Sequence, residues 1–160
     1  MKSLVTLLLA TLLFSFSTLA EENRNSVPNW SLNTQYGETI NWSEFKGKPV
    51  ILHFWATWCP YCKRLQPKLE ELQKQFAEQG STIIAVSFNE DQGATPQDVL
   101  TARGYTFKTA VDGDKLAEDM GVVGTPTTFF INREGEIVFK YTSSDINDPR
   151  LVKAMQLITK

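Results

Sequence analysis

The sequence predicts an α/β fold, a mixed central sheet with helices on both faces, from two features of its patterning. A short apolar run, Val50 to Ala56, is followed by a segment with apolar residues at helical spacing and then by a second apolar run, Thr82 to Phe88. A strand, a helix and a strand in that order close as a parallel pair through a right-handed crossover. Further on, Thr127 to Ile131 and Glu136 to Tyr141 flank Asn132-Arg133-Glu134-Gly135, whose Glu-Gly end suits a hairpin joining antiparallel strands. One sheet then holds both strand directions.

The elements follow in order. Trp30, Leu32, Ile40 and Trp42 are spaced apolar anchors on either side of Gly37, which predicts a short hairpin and then a turn of helix at Ser43 to Phe45. Val50 to Ala56 is apolar apart from His53 and reads as a strand buried on both faces. From Pro60 to about Gln79, Leu65, Leu69, Leu72 and Phe76 fall on one helical face, with Gly80 as the stop. After the second strand, Thr95 and Pro96 supply an N-cap and first-turn pair for a helix ending at Arg103. Tyr105 to Val111 is expected to hold a short strand, and Asp114 to cap a brief helix through Met120. Asn147 or Asp148 before Pro149 opens a last helix whose Leu151, Met155 and Ile158 face the core.

Composition fits one domain: 42% of the 160 residues are hydrophobic and 21% charged. The formal net charge is -2, from 18 acidic and 16 basic side chains, and no run of Lys or Arg could track a phosphate backbone, so nucleic acid is not an expected partner. Residues 1–20 pair a basic start at Lys2 with an apolar stretch and small residues at Thr18 and Ala20, the pattern of an export signal cleaved after Ala20. An uncleaved anchor is the alternative, but the polar Thr6, Thr11, Ser15 and Ser17 interrupt the tract. Residues 21–27 read as a polar lead-in and 28–160 as the folded domain.

Both cysteines and the only histidine lie within ten residues, His53 to Cys62. A structural zinc normally needs four protein ligands from Cys and His, more than this chain offers. A structural disulfide across so short a loop would remove little unfolded-state entropy. Redox chemistry remains, and the placement of Cys-x-x-Cys at a strand-to-helix junction suits it. Backbone N–H groups and the dipole at a helix N-terminus favour an anion, which makes Cys59 the attacking thiolate. Cys62, three residues on and on the same face, is the resolving thiol that displaces a mixed disulfide at Cys59. A third stretch, Val122 to Thr128, sets Pro126 at the start of a strand, where either an ordinary trans proline or a cis turn fits.

These motifs together resemble the thioredoxin superfamily, and within it the TlpA/ResA-like periplasmic thiol-disulfide oxidoreductases. The resemblance is carried by Gly47-Lys48-Pro49-Val50, by Phe54-Trp55-Ala56-Thr57-Trp58-Cys59-Pro60-Tyr61-Cys62-Lys63, by Pro67, and by Gly121 to Ile131 with Gly135 beyond it. It implies a thioredoxin-like three-layer sandwich from about Pro28 to Lys160, with an added helix and strand between Asn89 and Asp112. It also implies that Pro126 is a cis-proline facing the cysteine pair, that Thr125 precedes it beside an extended substrate segment, and that Trp58 and Tyr61 border the site. No cofactor is implied. Cysteine-containing envelope proteins are the implied substrates, apocytochrome c among them, with a membrane or periplasmic redox partner.

The sequence departs from that pattern where the family carries its acids. The position six before the first cysteine, typically aspartate or asparagine, is His53, and the position three after the second, commonly glutamate, is Leu65. His53 is accordingly a candidate proton acceptor for Cys62, because an imidazole titrates near neutral pH; the alternative is a core histidine satisfied by its neighbours. Dithiol oxidation or isomerisation stands as an alternative direction. A module that binds Cu(I) through the two thiolates is a reading of a different class.

Overall fold

A computed structural model describes residues 25–160, so the expected export signal and the start of the lead-in lie outside the described residues. The centre of the sheet is β3, Val50–Trp55, and all six of its side chains are buried, as expected of an apolar run bounded by Pro49 and broken only by His53. β4, Thr82–Ser87, runs parallel to it, with Val50 opposite Thr82 and Trp55 opposite Ser87. β6, Thr127–Ile131, runs antiparallel on the other side, with Phe54 opposite Thr127 and Val50 opposite Ile131. Beyond β4 lies β5, Lys108–Ala110, and beyond β6 lies β7, Ile137–Tyr141, giving the order β5-β4-β3-β6-β7. A separate antiparallel pair, β1 Ser31–Asn33 and β2 Thr39–Asn41, precedes a 3-10 turn over Trp42–Phe45.

The alternation of β3 divides the core into two layers. Ile51 and Trp55 pack with Leu65, Leu69 and Leu72 of helix α1, Pro60–Gln75, and with Leu151, Met155 and Ile158 of α4, Pro149–Ile158. Val50, Leu52 and Phe54 pack on the other face with Trp42, Val122 and with Leu116 and Ala117 of α3, Asp114–Asp119. The mixed sheet with helices on both faces is therefore the architecture the patterning predicts. The added segment forms α2, Pro96–Ala102, and the edge strand β5. Glu70 ties it to α1, accepting hydrogen bonds from Thr106 N and Oγ1 at 3.4 and 3.0 Å.

Several boundaries differ from expectation for local reasons. α1 stops at Gln75, and a 3-10 turn over Ala77–Gln79 carries the chain to Gly80, whose φ of 77° lies in the left-handed region. Thr95 precedes α2 without a side-chain capping bond. Asp114 does not cap α3: the N-cap is Gly113, and the Asp114 carboxylate instead accepts a hydrogen bond from Asn89 N. Asp148 does cap α4, its carboxylate accepting from Arg150 N. Residues 25–27 are already part of the fold, since Ser26 bridges Glu136, Ile137 N donates to Asn25 O, and Val27 N donates to Gly135 O.

Candidate active site

The site is built where β3 ends. Leaving Trp55, the chain crosses Ala56-Thr57-Trp58 and enters α1 at Pro60, with Cys59 as its N-cap. Proline at the first helical position has no N–H to leave unpaired, and its fixed φ suits the first turn. The Cys59 sulfur accepts a hydrogen bond from Cys62 N at 3.0 Å, the role an aspartate or serine oxygen plays at other helix starts. Cys59 O accepts from Lys63 N, which sets the next turn. The two cysteines, 5.3 Å apart between Cα atoms, are joined as a disulfide. Both are almost wholly enclosed, Cys59 at 2% exposure and Cys62 at 0%. An N–H aimed at Cys59 and the helix dipole behind it stabilise negative charge on that sulfur once the bond opens.

On the sheet side, the strand register carries β6 to the same end. Thr127 pairs with Phe54, so Thr125 and Pro126 stand just past the sheet at the level of Trp55. The Thr125-Pro126 peptide is cis, and the Thr127 hydroxyl donates to Gly124 O at 2.7 Å. A cleft of about 360 Å³ opens between Trp58 and the segment Val122 to Thr125, floored by Phe88 and Ala117. Trp58 and Tyr61 are exposed, at 49% and 57%, and Val123 at 98%. Trp58 is held despite its exposure, because its indole N–H donates to Asn89 O at 2.9 Å.

His53 lies in the layer between β3 and α1, on the same face of the strand as Ile51 and Trp55, and it is fully buried. Its cross-strand partner is Thr128, and Nδ1 lies 2.9 Å from the Thr128 hydroxyl. Nε2 is buried with no hydrogen-bond partner among the described residues. Burial pushes the imidazole down to about 3, so the ring is neutral at physiological pH. With Nδ1–H donating to Thr128, Nε2 is left as a free acceptor in the enclosed layer that also contains Cys62.

Two residues of this site escape a reading of the sequence. Thr128 becomes visible only through the β3–β6 register, which sets it opposite His53. Glu90 lies 33 positions from Thr57, yet its carboxylate accepts from Thr57 N at 2.9 Å and from Thr57 Oγ1 at 2.6 Å. A lone Glu in a polar loop offers no periodic or spacing signal for such a contact.

The family model that matches the chain, over residues 24–140, is that of the AhpC/TSA family. The chain belongs to the AhpC/TSA family. Among curated proteins, this family member is 36% identical to the thiol-disulfide oxidoreductase ResA of Halalkalibacterium halodurans, over 91% of this chain and 81% of that one. It is 32% identical to the thioredoxin-like protein YneN of Bacillus subtilis, over 78% and 74%. Among solved structures, StoA from Bacillus subtilis superposes with a TM-score of 0.62 at 24% identity, covering 82% of this chain and 98% of that one. A thiol:disulfide interchange protein from Chlorobium tepidum gives 0.69 at 24%, covering 85% and 97%. The structural matches fix the fold as thioredoxin-like. With the ResA relationship and the Cys59–Cys62 disulfide, they make this AhpC/TSA-family member a thiol-disulfide oxidoreductase that works by dithiol–disulfide exchange.

Proposed function

We propose that this oxidoreductase is exported, by a signal ending at Ala20, and reduces disulfides in cysteine-containing envelope proteins. On this reading the working domain runs from the paired residues 25–27 to residue 160, and a membrane or periplasmic redox partner re-reduces it. The observation that carries the reading is Cys59 at the mouth of α1, its sulfur accepting the Cys62 amide hydrogen bond. The Cys59 thiolate attacks one sulfur of the substrate disulfide, the substrate's S–S bond breaks, and the departing sulfur leaves as a thiolate that takes up a proton. Cys62, deprotonated, then attacks Cys59, forming the Cys59–Cys62 bond and releasing the second substrate thiolate. The electron pair has passed from the dithiol to the substrate.

Trp58, Tyr61, Thr125 and Pro126 form the substrate rim in this proposal. An extended segment laid in the cleft would meet the Thr125 backbone on one side and the Trp58 ring on the other. His53 accepts the Cys62 proton at Nε2. With a pKa of about 3, a lone imidazolium there at pH 7 would cost about 5 kcal/mol. Holding the proton there therefore requires the negative charge of the Cys62 thiolate to offset it. Among the described residues no helix is long and apolar enough to cross a membrane.

The direction is tested by the reduction potential of the Cys59–Cys62 pair, read from equilibrium with glutathione. A value near the thioredoxin level of about -270 mV is expected, and one near the DsbA level of about -120 mV would convert the reading to a dithiol oxidase.

A further inference from the structure

We propose that Glu90 is a positioning residue that sets the reactivity of Cys59 through Thr57. The inference rests on the reading of Cys59 as the attacking sulfur. The loop Ala56-Thr57-Trp58 carries that sulfur and has few bonds of its own; Cys59 N donates to Ala56 O at 3.1 Å. Ala56 is packed in the core, and among the described residues the loop's other hydrogen bonds come from the segment that leaves β4. Phe88 N donates to Trp55 O at 3.2 Å, extending the ladder one residue past the strand. Asn89, at φ 52°, turns the chain through the left-handed region and presents its carbonyl oxygen to the Trp58 indole. That turn brings the Glu90 carboxylate under the loop. Oε1 accepts from Thr57 N at 2.9 Å and from the Ser87 hydroxyl at 2.6 Å, while Oε2 accepts from the Thr57 hydroxyl at 2.6 Å.

Both carboxylate oxygens are thus occupied by donors from two segments that the fold must hold together for Cys59 to meet a substrate. Among the described residues, Glu90 is the acidic side chain bonded to this loop. Among the other charged or titratable groups on the elements around it, Asp91 and Asp112 line a cavity together with Glu90. His53 lies beneath on β3, Lys63 and Arg64 follow Cys62 on α1, and Arg103 sits over the Trp55 ring. Asp114 and Glu118 line the far side of the cleft, Asp114 engaged by Asn89 N. Glu90 therefore does two things at once. It fixes the loop, and it fixes a negative charge to the residue two before Cys59, which opposes the thiolate that the helix N-terminus favours.

Glu90→Gln removes the charge and leaves one acceptor oxygen for three donors. In equilibrium with glutathione at pH 7, it is expected to favour the dithiol form by about three- to ten-fold relative to the parent. Its kcat/KM for a peptide disulfide is expected to fall through KM, as Trp58 and Cys59 lose their fixed relation. Glu90→Asp keeps the charge and should recover most of the shift in equilibrium but not in KM. Glu70→Ala loosens a different contact of α1 and should leave the equilibrium constant unchanged, which separates this role from mere stability. Where Glu90→Gln does not fold, Thr57→Val, which removes the hydroxyl donor alone, should move KM in the same direction by a smaller factor. Iodoacetamide labelling of the reduced parent locates the more reactive sulfur. Labelling at Cys59 first, with both quantities in the Glu90→Gln protein, or KM in Thr57→Val if that protein replaces it, within twofold of the parent, overturns the role of Glu90 alone. Labelling at Cys62 first overturns the reading of Cys59 and this inference with it.

Discussion

His53→Asn separates what burial does to the imidazole from what the imidazole does for Cys62. The ring is fully enclosed, and burial lowers its pKa from 6.5 to about 3. As pH falls through 6.5 the unfolded chain takes up a proton that the folded chain refuses until about 3. The unfolded state therefore binds more protons across that window, and stability is lost as pH falls through it. Each unit corresponds to about 1.4 kcal/mol, so going from pH 7 to pH 4 removes about 3 kcal/mol through this group. Asparagine carries no titrating proton and keeps a polar group beside Thr128. Urea unfolding at pH 7 and pH 4 should show an acid loss about 3 kcal/mol smaller in His53→Asn than in the parent, since titration of the carboxylates is shared by both proteins. Equal acid losses would refute the burial argument. The same two proteins test proton transfer. With Cys59 held in a mixed disulfide, resolution by Cys62 at pH 7 is expected to slow at least about tenfold in the variant and to recover at alkaline pH, where hydroxide can take the thiol proton in place of a protein base. An unchanged rate and pH profile would remove His53 from the mechanism.

Gly113→Ala should destabilise the fold by about 2 kcal/mol, because a Cβ there would lie 2.2 Å from Val86 Cγ1 and 2.9 Å from Ser87 O; urea unfolding checks it, and a loss under about 0.5 kcal/mol would mean that the β4–α3 junction yields freely. Glu70→Ala strands the Thr106 amide that Glu70 accepts and should cost about 1–3 kcal/mol by the same assay. It should leave dithiol–disulfide exchange at the parental rate, since Glu70 lies two turns, about 12 Å, along α1 from Cys62.

The layers of this fold are legible in the sequence because β3 and β4 are short, largely apolar runs and α1 has a clean apolar face. Such patterns report burial, and burial is what the sheet imposes. Helix ends were less legible. Asp114 has the composition of a cap, but its carboxylate is taken by Asn89 N, a competitor that exists only once β4 and α3 are side by side. The cysteine pair announces itself through spacing and the strand-to-helix context, whereas Pro126 stands out only through the resemblance carried by Gly121 to Ile131, since its place before a strand fits trans and cis alike. Thr128 and Glu90 do not, because each acts across a register or a turn that contacts between distant segments create. His53 is the intermediate case. Its oddity inside an apolar run is plain, while the unpartnered Nε2 that gives the oddity chemical interest needs the closed core.

The pairing of residues 25–27 with the β6–β7 hairpin has a consequence for how the molecule is presented. Ser26 and Val27 join the fold beside Glu136 and Gly135, near Gly47 and the start of β3, whereas Cys59 emerges past the other end of that strand. Six residues of strand separate the two, a span of about 20 Å. The domain is polar in the geographic sense. The described chain enters at one pole and the cysteine pair lies at the other, so the entry at Asn25 leaves the approach to Cys59 clear.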